Sequence, residues 1–246
     1  MSLRDVQACL RAGIASRATT VGPFLVLLND KSANPFLNYA VPIDGAAPTR
    51  SDVTTLVSYF TERDRLPRLE YVRPAPEVDA PLVEAGFDVA ATLTLMAIDE
   101  LLEFHPKPGY EVVFPDDEDR LRQAVAVQDA AYGEQREPDP SELLATLEQG
   151  GCVALAIETA TGEPAGAGLF TGPHFGLVEI AGVGVLAGHR RRGVGRRLTT
   201  DLTAEALRRG HQPFLQAERN EPARVYQRIG YRVIGEMADA RLTTGS

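Results

Sequence analysis

Five arginines crowd between Arg190 and Arg197, in a chain of 246 residues whose formal charge is −9. They stand in the run Arg190-Arg191-Arg192-Gly193-Val194-Gly195-Arg196-Arg197, after an apolar stretch that reads as a strand and at the opening of a helical pattern. The first turn of a helix carries free backbone N–H groups and a partial positive charge. Glycine lets an anion approach that backbone with no Cβ in the way. Arginine adds charge-assisted hydrogen bonds to phosphate oxygens. The combination suits a diphosphate or a similar small anion. Broad nucleic-acid binding needs positive charge over a whole face, which a chain of pI near 5.0 does not offer.

Two familiar phosphate loops fail here. A P-loop requires a lysine after its second glycine, and none follows. A dinucleotide loop can be forced from Gly182, Gly184 and Gly188. Those glycines lie inside the strand, and the acid expected about twenty residues on, Asp201, falls within a helix.

The elements that position this turn are those of an ordinary globular chain, 44% hydrophobic and 24% charged. Cys9 and Cys152 have no zinc or redox spacing and read as small core residues in a reducing compartment. The N-terminal stretch has no signal-like apolar core, and "PFLVLL" is too short to span a bilayer. A cytoplasmic protein without membrane, metal or nucleic-acid partners is expected.

Helices are expected over 3–16, 49–65 (capped by Ser51), 76–85, 116–132, 141–149, 193–209 and 222–229, with strands between them. Val194, Leu198, Leu202 and Ala206 make the inner side of the helix after the arginine turn. The stretch "LLEFHPKPGY" reads as a linker at 103–109. It divides the chain into residues 1–102 and 110–246. Both halves close alike: a long helix, a proline-opened strand, a short helix, then Gly86-Phe87 or Gly230-Tyr231 before a strand. Each glycine ends a helix where a left-handed residue fits. Shared order over four elements reads as duplication of one α/β fold.

Arg-x-x-Gly-x-Gly after a strand resembles the pyrophosphate signature of the GNAT superfamily of acyl-CoA N-acyltransferases. The resemblance extends over 110–240 in element order and includes Asn220, Tyr226 and Gly230-Tyr231 in "LQAERNEPARVYQRIGYRVIGE". It implies an α/β (α+β) fold of two GNAT-like domains, each a mixed, mostly antiparallel sheet flanked by helices. It also implies acetyl-CoA as co-substrate, with no metal. An acetyl group would pass to a primary amine of a small molecule by direct attack in a ternary complex.

The same resemblance distributes roles. Exposed backbone of Val183, Gly184 and Val185 would bond the acyl-pantetheine arm. Gly182 and Gly184 suit close approach of a ligand, or alternatively a β-bulge or tight packing. The pyrophosphate would lie on Arg190, Arg191, Arg192, Gly193, Val194, Gly195 and Arg196, through their amides and some of the side chains. Tyr226 would protonate the departing thiolate, the alternative being packing beside Ala223 and Ile229. Asn220 would bond the CoA arm or cap the following helix. Glu179 is the candidate base, in a mostly apolar strand where an acid needs a reason. Its alternatives are a solvated strand start or an arginine pair, with a water chain as base. His189 packs in the phosphate loop, and His174 lies in an exposed turn.

The first half has no arginine-glycine turn and no counterpart of Tyr226, so it reads as a degenerate copy that shapes the acceptor pocket. Glu134, Glu137, Asp139 and Glu142 would make an acidic mouth that favours a cationic amine. A protein-directed acyltransferase and a non-catalytic CoA sensor stay open, as do monomer and homodimer.

Overall fold

The computed structural model describes residues 1–30, 32–90, 92–218 and 221–243. In chain order its elements begin with α1 (Leu3–Ala15), β1 (Thr19–Val21), β2 (Phe24–Leu27), β3 (Tyr39–Pro42), α2 (Arg50–Thr61), β4 (Arg68–Arg73), α3 (Pro76–Glu84), β5 (Phe87–Asp88) and β6 (Thr92–Ala97). They continue with β7 (Tyr110–Val113), α4 (Glu118–Tyr132), α5 (Ser141–Glu148), β8 (Cys152–Glu158), β9 (Pro164–Phe170), β10 (Leu177–Val185), α6 (Val194–Arg208), β11 (Gln212–Ala217), α7 (Glu221–Gln227) and β12 (Arg232–Leu242). Among the described residues no helix is long and apolar enough to cross a membrane.

Local chemistry sets the helix starts. Ser2 and Asp5 form a capping box on α1, and Thr49 with Asp52 forms one on α2. Thr49 therefore caps α2, and Ser51, expected in that place, lies inside the helix. Asp117 accepts the Arg120 N–H at 2.9 Å to open α4, and left-handed Gly133 closes it. Gly86 and Gly230 take the left-handed backbone expected of them.

The chain forms two compact units. In the first, β1, β2 and β3 make an antiparallel meander, and the chain crosses through α2 to β4, parallel to β3. In the second, β7, β8, β9 and β10 run antiparallel, and the chain crosses through α6 to β11, parallel to β10. Both units are mixed, mostly antiparallel sheets flanked by helices, and the same passage of meander, helix and parallel strand occurs twice. The cores differ in content: Phe24, Phe60 and Tyr71 dominate the first, and Leu121, Val153 and Leu155 belong to the second.

The division differs from a cut at 103–109. The first unit is Met1–Leu95 together with a short stretch from Ala217 and the C-terminal segment from Ile234; the second begins at Met96. Residues 101–109 are irregular as expected, yet Leu102 donates its N–H to the Ile229 carbonyl at 2.9 Å, within the second unit. β12 pairs with β4 from Glu236↔Arg73 to Arg241↔Arg68. The physical reason is a charge pair as well as apolar burial. Fully buried Arg68 bonds Asp239 at 2.6 Å and Glu70 at 2.5 Å, while Ala238 and Ala240 sink into the first core. Burial pushes the Glu70 carboxyl up, against the pull of Arg68. Burial acts on Asp239 in the same sense, but Arg241 and Arg68 outweigh it and hold that carboxyl below its usual range.

Removing one partner of a buried pair leaves an uncompensated charge. Asp239→Ala is therefore expected to destabilise the protein by about 3 kcal/mol or more. Urea unfolding measures it, and a loss under about 1 kcal/mol would show that Glu70 alone satisfies Arg68.

Candidate active site

α6 presents Val194, Leu198, Leu202 and Ala206, all buried, to its own sheet, as its spacing predicts. That fixes the arginine turn at the end of β10. The turn changes backbone hand twice: Arg191 has φ +62° and Gly193 φ +91°. Such alternation gathers successive N–H groups into a concave anion nest. None of the amides from Arg191 to Arg196 has an acceptor among the described residues.

The two glycines of the turn serve different ends. Gly193 is needed for its positive φ, since a Cβ there would meet no atom within 4 Å. Gly195 has no such backbone, and a Cβ there would meet only Val185 Cγ2, at an ordinary 3.6 Å. Among the described residues nothing in the packing requires glycine at 195.

The arginine side chains divide. Arg190 is turned back into the protein, donating to the carbonyls of Val185 and Ala131 at 3.1 Å each. Arg192 donates to the Tyr110 hydroxyl at 3.4 Å and lies 3.5 Å from Glu158. His189, as expected, packs behind the turn, 3.0 Å from the same hydroxyl. Arg196 donates to the Arg228 carbonyl at 2.8 Å and stacks 4.5 Å over the Phe104 ring. Arg197 pairs with Asp201 at 2.6 Å. The Arg191 side chain is exposed, with no partner among the described residues. Phe104, Lys107, Tyr110, Arg192, Gly193 and Arg196 line a shallow cavity beside the turn.

Upstream, β10 and β11 pair only from Leu177↔Gln212 to Ile180↔Leu215. On its other edge β10 slips register against β9 between Ala181 and Gly184. This bulge re-aims two carbonyls, and α4 satisfies both. Gln128 donates to Gly182 O at 2.8 Å, and Tyr132 to Val183 O at 3.3 Å. Gly182 has φ +61°, and a Cβ would fall 2.5 Å from Gln128 Nε2. At Gly184 a Cβ would fall 2.8 Å from the Ala131 methyl. Bulge and tight packing thus account for these glycines, the second of the two explanations the sequence offered. The backbone of Val183, Gly184 and Val185 lies beyond the last β11 pair.

Glu179 and Ala181 share one partly exposed face of β10. The bulge turns Val183, which strict alternation would place beside them, to the opposite face, where its Cγ2 lies with Leu202 around Gly168. Glu179 is not solvated at the strand start. Its backbone N–H donates to Thr171 Oγ1 at 3.0 Å, and its carboxylate accepts from Gln216 Nε2 at 3.0 Å. Tyr226, on α7, is half-buried, with its ring 6.2 Å edge-on from Tyr231. Burial, and behind it the neighbouring Tyr132, hold the Tyr226 phenol above its ordinary value. Asn220 lies outside the described residues. Of the acidic loop, Asp139 is engaged in opening α5, accepting from the Ser141 N–H at 3.0 Å.

Gln128, Tyr132 and Gln216 were not singled out from the sequence. Gln216 did leave a trace, as the one amide within the otherwise apolar run "PFLQA". Tyr132 left none beyond its place before a helix-ending glycine.

This arrangement, a parted parallel strand pair leading to an N–H nest at a helix start, is one that the GNAT fold provides. The family model described as "Acetyltransferase (GNAT) family" matches residues 117–231, a little under half of the chain. A GCN5-related N-acetyltransferase from Kribbella flavida is 24% identical, with a TM-score of 0.76 over 100% of this chain and 97% of its own. A GCN5-related N-acetyltransferase from Sphaerobacter thermophilus is 17% identical, with a TM-score of 0.64 over 99% and 92%. A tandem GNAT protein from the clavulanic acid biosynthesis pathway is 14% identical, with a TM-score of 0.61 over 91% and 79%. These likenesses extend the fold over both units. No curated protein matches the sequence.

Proposed function

We propose that the protein transfers an acetyl group from acetyl-CoA to a primary amine of a small molecule, by direct attack in a ternary complex. The observation that carries this reading is the nest itself: amides from Arg191 to Arg196 without an acceptor among the described residues, with a glycine at 195 that no described atom requires. A diphosphate lying on those amides supplies the reason for that glycine.

The diphosphate rests on the nest, and Arg191 is the side chain at liberty to reach it. Arg190, Arg192 and Arg196 contribute their amides or the shape of the turn, their guanidinium groups being engaged elsewhere. The backbone of Val183, Gly184 and Val185, past the last β11 pair, bonds the pantetheine arm. The amine nitrogen attacks the thioester carbon and the C–S bond breaks. The attacking nitrogen loses its proton to Glu179, and the thiolate takes one from Tyr226. Asn220 assists the CoA arm or the start of α7.

The first unit does not hold a second acyl-CoA. Where β3 and β4 part after Ala40↔Leu69, the Val72 N–H is taken by Gln7 Oε1 of α1 at 2.6 Å. A side chain bonds the strand backbone there, and no arginine-glycine turn follows β3. This unit serves the acceptor.

Calorimetric titration with acetyl-CoA tests the reading, followed by thiol release with a panel of small primary amines. One acetyl-CoA per chain and amine-dependent thiol release are expected. Two per chain would overturn the role of the first unit. No binding at millimolar acetyl-CoA would overturn the whole assignment.

A further inference from the structure

We infer that Gln216 is a positioning residue of the acceptor site: its amide N–H orients the Glu179 carboxylate, and its amide oxygen receives an N–H of the incoming amine. The inference rests on the acyl-transfer reading above and deepens it.

Gln216 stands at a particular place. The parallel pairing of β10 with β11 ends at Ile180↔Leu215, so Gln216 is the first residue beyond the point where the strands part. Phe214 is the register partner of Glu179, and Gln216 follows it by two. Glu179 and Gln216 therefore project from the same face of the sheet. Their side chains meet, Nε2 donating to Oε1 at 3.0 Å.

That contact fixes the amide's orientation. An ionised carboxylate only accepts hydrogen bonds, so the NH2 end of Gln216 must face Glu179. The carbonyl end is then committed to another direction. Gln216 Oε1 is buried and has no donor among the described residues. Buried acceptors are nearly always satisfied, and one left open calls for an explanation. A glutamine serving only to brace Glu179 would have both ends engaged. An acceptor without a donor, beside a carboxylate that takes protons, matches a primary amine. Such a nucleophile carries N–H bonds beyond the one it loses. One N–H goes to Glu179 as the proton transferred, and a second is held by Gln216 Oε1. The nitrogen lone pair is then left to point at the thioester carbon.

The pair works as a unit, which sets the test. Steady-state kinetics are measured for the wild type, Gln216→Leu, Gln216→Asn and Gln216→Glu, with amines that the wild type acetylates. Binding of acetyl-CoA is followed separately by calorimetry. Gln216→Leu keeps the volume and is expected to raise the amine KM and lower kcat by about tenfold each, with the acetyl-CoA Kd unchanged. Gln216→Asn is expected to recover part of the loss, and Gln216→Glu, which sets a second carboxylate beside Glu179, to lose more. In a Glu179→Gln background, Gln216→Leu is expected to add little.

If the wild type is active and Gln216→Leu leaves the amine KM within about twofold, the role of Gln216 is overturned while the transferase reading stands. A parallel loss of acetyl-CoA binding in Gln216→Leu would also overturn it, by showing a structural part. If the wild type binds acetyl-CoA yet acetylates no amine, both readings fall together.

Discussion

Gly195→Glu is expected to abolish acetyl-CoA binding while leaving the free protein as stable as before, or slightly more so. A Cβ at 195 meets nothing closer than Val185 Cγ2 at 3.6 Å, so the side chain enters without strain. It stands in the first turn of α6, where a negative charge complements the helix dipole and contributes roughly 0.3–1 kcal/mol. The same carboxylate occupies the space above the amide nest and repels a diphosphate. In the wild type, acetyl-CoA at about 100 times its Kd should stabilise the fold by about 2.7 kcal/mol. In the variant that increment should vanish. Thermal unfolding with and without ligand reads both quantities at once. A variant that still gains stability from acetyl-CoA would remove the nest from the binding site. Gly193→Glu is a poorer control, because φ +91° strains any side chain and mixes folding with binding.

Tyr226→Phe is expected to lower kcat by about 10²–10³-fold and to leave the acetyl-CoA Kd within about twofold. The phenylalanine keeps the ring against Tyr231 and removes only the transferable proton. The pH dependence follows from the direction of the Tyr226 shift. A general acid works while protonated, so its activity is lost as pH rises through its pKa. Burial first, and the Tyr132 phenol second, raise that pKa above the usual value near ~10. Tyr226 therefore contributes no alkaline loss of kcat below about pH 10, and the acid stays competent throughout the neutral range. Should Tyr226→Phe retain kcat within about threefold, the proton comes from elsewhere. Tyr132, whose hydroxyl reaches Val183 O, would then be the first residue to replace.

The features legible in the sequence were those written in neighbouring residues. Helix α6 was readable from the spacing of Val194, Leu198, Leu202 and Ala206, since burial of one helical face imposes that period. The nest was readable because glycines and arginines stand together where a strand ends and a helix opens. The repetition of long helix, strand, short helix and glycine-led strand was readable from punctuation, with Gly86 and Gly230 ending corresponding helices. Cap choice was less so: Thr49 and Ser51 are both competent, and Asp52 at the third helical position decided for Thr49 by closing the box.

The tertiary structure alone decided which groups were already spent. Arg190 and Arg191 are adjacent and identical in type, yet Arg190 is held by the carbonyls of Val185 and Ala131 while Arg191 is open to solvent. A guanidinium's partner depends on which distant carbonyls the fold brings within reach. The allegiance of β12 was hidden for the same reason. Its last strand residues carry no local mark of the first unit, and the buried Arg68–Asp239 bond joins positions 171 residues apart. Glu179 could be suspected from an acid in an apolar strand. Its companion Gln216, 37 residues later, became visible only when parallel pairing set the two strands side by side and stopped one residue short of it. Sequence determined the arginine-glycine turn and the helix behind it, because helix starts and periodic faces are local. The fold decided which of those groups are free to act, because hydrogen-bond partners are chosen in space.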